Sequence, residues 1–193
     1  MDRRNLLKCL GGAALVPLLP ATLASLFPSA GLAANKGAPN VEDLQNTWKN
    51  FLAAGTQVPS PTDHLQLADA DWKKRLPAPA YDVLRHEGTE YPGTSPLNHE
   101  KREGVFACAG CGLPLFTSAM KFDSGTGWPS FFTTIPGVFD TSRDFKLIAP
   151  RTEYHCARCG GHHGHVFNDG PAPTGLRYCN NGVALKFIPK GGA

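Results

Sequence analysis

The chain has 193 residues, six cysteines and a formal net charge of +3 at pH 7. Removing the first 34 residues would take away three positive charges and one negative charge, and would leave the remaining domain at about +1. A nearly neutral domain lacks the basic surface typical of proteins that bind nucleic acid or anionic lipid. We therefore expect one domain with its own core and neither of those partners.

The first 34 residues have the features of an export signal. Arg3 and Arg4 precede an apolar stretch that runs to about residue 27, and small residues follow at 30–34. This arrangement predicts a twin-arginine signal peptide over residues 1–34, so the twin-arginine export machinery is an expected partner and the bacterial periplasm the expected location. A membrane anchor is the alternative, but prolines interrupt the stretch and no uninterrupted span of about 20 apolar residues exists there.

Short helices are predicted in the next part of the chain. Residues 35–68 are predicted to form a helix capped by Asn40 and then a proline-containing linker. A second helix is predicted to begin at Asp69, and a third has Pro79 in its first turn and ends at Gly88. We expect these helices to form a small N-terminal cap.

The sequence pattern changes from Gly104 onward, where short apolar runs recur between Gly, Pro, Asn and Asp residues. Such runs are typical of strands joined by turns. Phe139 and Phe145 flank five polar residues that predict a hairpin loop. We therefore predict a mainly β domain with mostly antiparallel strands. The apolar runs are 105–106, 113–116, 138–139, 145–148, 166–167 and 183–188.

Four of the six cysteines form two CxxC pairs, Cys108 with Cys111 and Cys156 with Cys159, and a glycine follows each pair. Each pair can present two thiolates on a tight turn in which the glycine supplies a positive φ. Together they offer four soft ligands to one tetrahedral Zn²⁺ and leave no open position, which predicts a structural zinc site. The site would join two turns that are separated by 44 residues of chain.

Two alternatives to this zinc site exist. Two disulfides would suit an oxidising compartment. A Cys₂His₂ site would combine the second CxxC pair with His162 and His165, but it would leave the first pair without a role. We favour the four-cysteine site because the glycine after each pair suits a metal-binding turn.

One cysteine then has no assignment, because Cys9 lies in the predicted signal. This residue is Cys179, and it follows a cluster of histidines at positions 162, 163 and 165. An unpaired thiol with histidines elsewhere in the chain is a candidate nucleophile. His162 and His165 are three positions apart and are expected to converge in a turn, with His163 on the surface.

Two stretches carry a family resemblance: KFDSGTGWPSF at residues 121–131 and RTEYHCARCGGHHGHVFNDGPAPTGLRYCNNGVALKF at residues 151–187. Together they resemble the peptide methionine (R)-S-oxide reductase family of the MsrB type. The resemblance extends over roughly residues 69–188. It implies a catalytic domain at 69–193 with two antiparallel sheets, and a structural zinc held by the two CxxC pairs.

The resemblance also implies roles for the residues around the unpaired thiol. Cys179 corresponds to the nucleophile, and His162 and His165 correspond to the pair that contacts the sulfoxide oxygen. Arg177 and Asn181 correspond to polar residues that shape the surroundings of the nucleophile. A thiolate favoured by Arg177 and imidazolium would attack sulfur, and a histidine would protonate the oxygen, which leaves a sulfenic acid.

Three further positions concern specificity and turnover. Trp128 corresponds to the aromatic wall that receives the substrate methyl group, although a tryptophan is also common in cores. Thr126 stands where many family members have a resolving cysteine, and His163 stands where leucine is usual. Because threonine cannot form a disulfide, we expect an external thiol, either a thioredoxin-like protein or a small thiol, to reduce the enzyme. The expected substrates are peptides or proteins that contain methionine-R-sulfoxide.

Two functions of other classes remain as alternatives. A zinc-bearing binding module would leave Cys179 incidental, so Cys179→Ser would keep its function. Another kind of thiol enzyme, such as a peroxidase or a thiol-disulfide oxidoreductase, would use a CxxC pair that is metal-free and redox-active.

Overall fold

The computed structural model describes residues 40–146 and 149–191. The predicted signal peptide at 1–34 lies outside the described residues. Within the two described ranges, no helix has the length and apolar character needed to cross a bilayer.

The predicted N-terminal helices are present. Helix α1 spans Val41–Asn46, and the Asn40 side-chain oxygen caps it by accepting the backbone N–H of Glu42 at 3.0 Å. A 3₁₀ turn follows at Trp48–Phe51, where the sequence also predicted helix. Leu44 and Trp48 are partly buried against the core, so this segment is packed on the domain.

Helices α2 (Asp69–Arg75) and α3 (Ala78–His86) follow as predicted. Proline in the first turn suits the start of α3, because its missing N–H is not needed there. The left-handed residue that ends α3 is Glu87. These helices place large apolar side chains in the main core; those of Trp72, Val83 and Leu84 are almost fully buried.

The rest of the domain is two antiparallel sheets, which confirms the predicted mainly β fold. The first sheet has three strands in the order β2-β1-β9, and the second has six in the order β3-β4-β8-β7-β6-β5. The strands are β1 Gly104–Cys108, β2 Pro114–Thr117, β3 Lys121–Phe122, β4 Ser130–Phe131, β5 Phe139–Asp144, β6 Arg151–Cys156, β7 His162–Phe167, β8 Arg177–Asn180 and β9 Leu185–Pro189. Short 3₁₀ turns lie at Pro96–His99, Ser118–Met120 and Gly182–Ala184.

Aromatic rings join the two sheets. Phe116 on β2 stacks on Phe131 on β4, with ring centroids 3.9 Å apart and planes only 7° from parallel. Phe106 on β1 meets Phe131 edge to face at 5.0 Å. All three side chains are fully buried, so the core lies between the sheets and leaves the other face of the six-stranded sheet free to carry polar groups.

The predicted hairpin loop at 140–144 is wrong. Strand β5 spans Phe139–Asp144 and pairs with β6 along its whole length, from Phe139 opposite Cys156 to Asp144 opposite Arg151. Most of its side chains are exposed, so the strand resembles a loop in composition. The chain reversal lies after Asp144 instead.

Candidate active site

One face of the six-stranded sheet carries a row of polar side chains. Cys179 on β8 lies directly opposite Ser130 on β4 and directly opposite His165 on β7. His165 in turn lies opposite Glu153 on β6. Directly opposed residues of antiparallel strands project to the same face, so the pairing places the thiol and an imidazole side by side.

A β-bulge interrupts the pairing of β6 with β7. The register shifts between Tyr154, opposite Gly164, and His155, opposite His162. His163 is therefore the extra residue on β7, and the alternation of side chains changes phase at this position.

The bulge decides where the three histidines point. His162 and His165 project to the polar face with ring centroids 5.5 Å apart, on a strand and not in the expected turn. His163 projects to the opposite face, where it is fully buried, 5.7 Å from the ring of Phe139. The prediction that His163 lies on the surface is wrong, because the bulge turns it into the core.

Gly164 makes the close approach of β7 to β8 possible. Its φ is +154°, and a Cβ atom there would lie only 2.0 Å from the carbonyl oxygen of Cys179. Any side chain would force the two strands apart. The glycine therefore keeps the thiol strand beside the histidine strand.

A cavity of about 130 Å³, here called the cleft, opens on this face beside Cys179. Of the predicted site residues, it brings together Cys179, His165, Trp128 and Asn181. His162 lies next to His165 but does not line the cleft, and it is only 2% exposed. The full lining is Thr89, Trp128, Arg151, Gly164, His165, Phe167, Cys179, Asn180 and Asn181.

Trp128 is held at the cleft by the backbone of a neighbouring loop. Its indole N–H donates to the carbonyl oxygen of Glu90 at 3.1 Å. The Glu90 carboxylate accepts the backbone N–H groups of Gly182 and Val183, which anchors the loop to the 3₁₀ turn after β8. The indole thus has a fixed position with its ring partly exposed, as an aromatic wall requires.

Asn181 holds the bulge in place through hydrogen bonds to the bulged residue, His163. Its side-chain amide donates to the carbonyl oxygen of His163 at 3.0 Å, and its backbone N–H donates to the same oxygen at 2.9 Å. Its side-chain oxygen accepts the backbone N–H of Glu90 at 3.0 Å. The residue therefore supports both the histidine strand and the loop that holds Trp128.

Arg177 lies two residues before Cys179 on β8, so its side chain projects to the same face of the sheet as the thiol. Its guanidinium donates two hydrogen bonds to Asp169, at 2.8 and 2.9 Å, and stacks 4.3 Å from the centre of the Phe167 ring. It also lies within hydrogen-bond reach of Cys179 and lowers the pKa of that thiol. Asp169 and Phe167 were not found from the sequence, because only the fold brings them to Arg177.

Burial shifts the pKa values of the thiol and of the two histidines beside it. Burial raises the pKa of Cys179, and the opposing effects of Arg177 and Thr126 are smaller. Burial lowers the pKa of His162 to about 4, and it also lowers the pKa of His165. These shifts favour the neutral forms of the resting groups, a thiol and uncharged imidazoles. The expected thiolate, favoured by Arg177 and imidazolium, concerns the reacting enzyme and stays a prediction.

Asp144 is a functional residue that sequence reasoning missed. Its carboxylate lies 2.7 Å from Nε2 of His165 and also accepts Arg151 and the backbone N–H of Lys146. These donors hold the pKa of Asp144 well below its usual range, with the Lys146 N–H contributing most. An ionised carboxylate only accepts hydrogen bonds, so neutral His165 carries its proton on Nε2 and has a lone pair on Nδ1.

Thr126 also lies beside the thiol. It is within hydrogen-bond reach of Cys179, and its hydroxyl lies 2.8 Å from that of Ser124. Ser124 in turn lies 2.8 Å from the hydroxyl of Ser130, the residue opposite Cys179 on β4. A chain of hydroxyls thus borders the nucleophile on the side away from His165.

The two CxxC pairs meet at the ends of the two sheets. The Sγ atoms of Cys108 and Cys159 are 3.7 Å apart, those of Cys111 and Cys156 are 3.5 Å apart, and all four lie within 4.8 Å of one another. A tetrahedral zinc with Zn–S bonds of about 2.3 Å would space its sulfurs about 3.8 Å apart, whereas a disulfide needs about 2.05 Å. The four free thiols, here called the cysteine cluster, therefore fit one metal ion.

This geometry decides between the alternatives for the cysteines. All four are free thiols, so the two-disulfide alternative is wrong for this structure. The cluster contains both CxxC pairs and no histidine, so the Cys₂His₂ alternative is wrong as well. Gly112 and Gly160 have φ of +80° and +67°, as the predicted metal-binding turns require.

Arginine side chains connect the N-terminal helices to the turns formed by the two CxxC pairs through hydrogen bonds. Arg75 of α2 donates to the carbonyl oxygen of Gly110 at 2.7 Å, and Arg85 of α3 donates to that of Cys159 at 2.9 Å. Arg158 donates to the carbonyl oxygen of Cys111 at 3.0 Å and so joins one turn to the other. The helical cap therefore covers the cysteine cluster and shields it from water.

Comparison with known proteins gives a consistent result. A model of the SelR domain matches residues 76–189. The peptide methionine sulfoxide reductase MsrB of Agrobacterium fabrum is 50% identical over 123 residues, which are 63% of this chain and 91% of that protein. The protein of the same name from Leptospira interrogans is 50% identical over 121 residues, which are 62% of this chain and 92% of that protein.

A plant protein extends the similarity towards the N-terminus. The chloroplastic peptide methionine sulfoxide reductase B1 of Arabidopsis thaliana is 41% identical over 157 residues. The match covers 81% of this chain and 72% of the plant protein.

Proposed function

The chain belongs to the SelR domain family and is a peptide methionine sulfoxide reductase of the MsrB type, and from that premise we propose that Cys179 reduces methionine-R-sulfoxide through a sulfenic acid. The observation that carries this proposal is the direct pairing of Cys179 with His165 in a cleft bordered by Trp128. A sulfoxide offers an electrophilic sulfur, a basic oxygen and an apolar methyl group. The cleft holds one group suited to each of them.

Substrate binding selects the epimer. The indole ring of Trp128 would receive the methyl group, with its N–H engaged by the Glu90 carbonyl and so turned away from the substrate. With the methyl group held there and the sulfur next to Cys179, only one epimer directs its oxygen towards His165. The geometry favours one epimer, and the resemblance to the MsrB family implies that it is the R epimer, so we expect turnover of R and not of S.

The proton needed by the leaving oxygen comes from the thiol itself. Neutral His165 has a lone pair on Nδ1, because Asp144 holds its proton on Nε2. The imidazole can therefore take the Cys179 proton, directly or through water, and pass it to the sulfoxide oxygen as the thiolate attacks. This route needs no thiolate in the resting enzyme, which agrees with the raised pKa of Cys179.

The first half-reaction balances without another reagent. The Cys179 sulfur loses two electrons and gains the oxygen, while the substrate sulfur gains two electrons and leaves as a thioether. The thiol proton ends on the oxygen of the Cys179 sulfenic acid. Arg177 and the neighbouring hydroxyls would stabilise the charge that develops on Cys179 and on the oxygen.

An external thiol completes the cycle. The residue beside Cys179 is Thr126, and the other four described cysteines lie in the cysteine cluster. We propose that a thioredoxin-like protein or a small thiol attacks the sulfenic acid and releases water, and that a second thiol then restores Cys179. The internal disulfide used by enzymes with a resolving cysteine would be absent.

The metal of the cysteine cluster is proposed to be Zn²⁺. Four buried thiolates would complete its coordination, so it would hold the turns together and take no part in the reaction. Its loss is expected to separate the ends of the two sheets, where Cys108 and Cys156 lie.

Export by the twin-arginine route to the periplasm is also proposed, on the basis of residues 1–34. The pair Arg3 and Arg4 supports it, together with the apolar stretch and the small residues that follow. The full chain produced in a bacterium should appear in the periplasmic fraction. Replacing both arginines with lysine should keep it in the cytoplasm, and unchanged export of that variant would contradict the route.

The first test of the reaction uses separate R and S epimers of a methionine-sulfoxide peptide, with dithiothreitol as reductant. The wild-type chain should reduce only the R epimer, and Cys179→Ser should reduce neither while keeping its fold and metal. Mass spectrometry after one turnover without reductant should show one added oxygen on Cys179. An internal disulfide that contains Cys179 would contradict the external-thiol route, and full activity of Cys179→Ser would overturn the assignment of the nucleophile.

A further inference from the structure

A second group of metal-ligating side chains lies on the polar face of the six-stranded sheet, beside the bulge. Glu153, His155 and His162 each bring a ligand atom to within 4.8 Å of the others. We propose that these three residues bind one divalent transition-metal ion of the Zn²⁺ class. Because the His162 ring lies 5.5 Å from that of His165, the ion would place positive charge beside His165 and inhibit the reductase by opposing proton transfer to that imidazole. The binding stands independently of the reaction, whereas the inhibition rests on the proposed function.

The spacing of the ligand atoms suits such an ion. Bonds of about 2.0–2.2 Å to nitrogen and oxygen place neighbouring ligands roughly 3.4 Å apart in a tetrahedral site. Nδ1 of His162 lies 3.4 Å from Oε2 of Glu153, and Nε2 of His155 lies 3.9 Å from the same oxygen. The two imidazole rings are 5.5 Å apart at an angle of 62°, so a tilt of the more exposed His155 ring would complete the set.

His162 supplies an independent sign that a ligand is required. Its side chain is 98% buried, yet neither ring nitrogen has a hydrogen-bond partner. A buried polar group without a partner costs about 1–3 kcal/mol, so such groups are rare unless they serve a ligand. The Nδ1 atom faces the Glu153 carboxylate without making a hydrogen bond, which is the arrangement of two ligands that share an ion.

The position allows an ion to enter. The side chains of His155 and Glu153 are 20% and 12% exposed, whereas His162 forms the buried end of the group. Two imidazoles and one carboxylate are a common ligand set for Zn²⁺ and leave one position for water. The carboxylate also offsets part of the charge of the ion.

This group is distinct from the cysteine cluster. His155 precedes Cys156 on β6, but successive residues of a strand project to opposite faces. The cysteine cluster presents only thiolates, whereas this group presents only nitrogen and oxygen. The two donor sets differ in softness, so they would bind Zn²⁺ with different affinities and would fill separately.

A neighbouring trio, Asp144, Glu153 and His165, is a weaker candidate for the same ion. Asp144 already accepts hydrogen bonds from Arg151, His165 and the backbone of Lys146. An ion there would have to displace those donors and remove the proton from Nε2 of His165. In the His155 group, Ser142 donates to Oε1 of Glu153 at 2.8 Å, but Oε2 of Glu153 faces the two imidazoles and the His162 ring nitrogens have no hydrogen-bond partner.

Binding is tested with the full chain as Cys179→Ser, loaded with its structural metal, because a free thiol would itself bind added zinc. Titration with Zn²⁺, followed by calorimetry and metal analysis, should show one further ion per chain. With Co²⁺ the added absorption should lack the intense thiolate charge-transfer bands. Failure to bind a further ion would overturn the proposal.

The choice of ligands is tested by His155→Gln in the same background. This change should weaken binding of the further ion at least tenfold, while the matched control His64→Gln, at an exposed histidine, should leave it unchanged. Equal affinity in His155→Gln and in its parent would overturn the assignment.

Inhibition is tested by a single turnover with Cys179 intact and no thiol reductant, since thiols chelate zinc. Zn²⁺ at saturation should slow reduction of the R epimer at least tenfold in the wild type, and His155→Gln should turn over normally and resist Zn²⁺. Equal inhibition of both chains would overturn the inhibitory role of the site. Absence of turnover in metal-free buffer would instead refute the proposed function and leave the binding result standing.

Discussion

The cysteine cluster and the cleft both contain cysteine thiols, yet they differ in how the polar atoms are satisfied. In the cluster, four buried sulfurs face one another. Arg75 and Arg85 of the helical cap, and Arg158 of the second CxxC turn, donate hydrogen bonds to carbonyl oxygens of the turns. In the cleft, Cys179 is only partly buried, and just outside it His162, next to His165, has no hydrogen-bond partner. A closed set of ligands makes a thiol structural, whereas an open cavity with unsatisfied neighbours leaves it able to react.

The difference also lies in what each region gains from burial. In the cluster, burial excludes water from a site whose sulfurs can share one ion. In the cleft, burial raises the pKa of Cys179 and lowers the pKa of His162 and His165, so the resting groups are neutral. Charge then develops only when a substrate arrives, which protects the thiol from unproductive oxidation.

The largest effect is expected from breaking the cluster. Cys156→Ser should remove the metal and lower the free energy of unfolding by on the order of 3 kcal/mol or more, because structural zinc contributes directly to folding. Metal analysis and thermal unfolding measure both changes. Cys179→Ser is the matched control and should keep one metal ion per chain and a normal melting temperature. A Cys156→Ser chain with full metal and an unchanged melting temperature would contradict the structural role of the cysteine cluster, and with it the difference between the two regions.

The next effect concerns Asp144, whose carboxylate contacts Nε2 of His165. Asp144→Asn should lower kcat about 10- to 100-fold, because an amide no longer fixes the proton on Nε2 of His165. It should also lower the pKa of His165 further, since the Asp144 carboxylate is the largest of the influences that raise it. A kinetic pH profile and the NMR titration of His165 measure these changes. Asp140→Asn, at an exposed position of the same strand, is the control, and equal loss in both variants would argue against a specific role for Asp144.

A smaller change in rate is expected when a second thiol is placed in the cleft. Thr126→Cys should form a disulfide with Cys179 after one turnover, because Thr126 already contacts that thiol. The rate of the first step should change less than about tenfold, since His165 and Trp128 are untouched. Mass spectrometry of tryptic peptides detects the bond. Thr126→Cys combined with Cys179→Ser should show none, and a chain that stays at the sulfenic acid would contradict the proposed proximity.

The last effect, a change in stability, appears only in acid. Burial depresses the pKa of His163 to about 3 from an ordinary value of 6.5. Between these values the unfolded chain binds a proton that the folded chain does not, so the free energy of unfolding decreases as the pH falls below 6.5. His163→Leu removes this dependence. The free energy of unfolding of the variant minus that of the wild type should therefore be roughly 2 kcal/mol larger at pH 5 than at pH 8.

Denaturant unfolding at pH 5, 6, 7 and 8, with zinc present throughout, checks this expectation. His162 remains in the variant and has a depressed pKa as well, so a weaker acid dependence should persist. Parallel stability curves for the two chains would show that His163 does not titrate as its burial requires.

The sequence predicted some strands and missed others for a physical reason. Strands β1 and β2 are buried and read as apolar runs, so the pattern found them. Strands β6 and β8 carry the site and were not among those runs, because one face of each is polar. The hairpin loop was placed on β5 for the same reason. A strand with one polar face lining a site is therefore harder to predict from an apolar pattern than a strand buried on both faces.

By itself the sequence determined the chemical inventory and the local turns. The spacing of the CxxC pairs, the glycine after each, the cap at Asn40 and the unpaired Cys179 are local features, and each acts through neighbouring residues. They were sufficient to predict the cysteine cluster and the helices and to propose Cys179 as the nucleophile, and the motifs that include His162 and His165 indicated the family.

Only the tertiary structure decided how these groups work together. Register across β7 and β8 places His165 opposite Cys179, and one extra residue in β7 sends His163 into the core. Asp144 reaches His165 from another strand, 21 residues away in sequence. The protonation states depend on burial by the whole domain. Strand register and desolvation arise from contacts between distant segments, so no local pattern contains them.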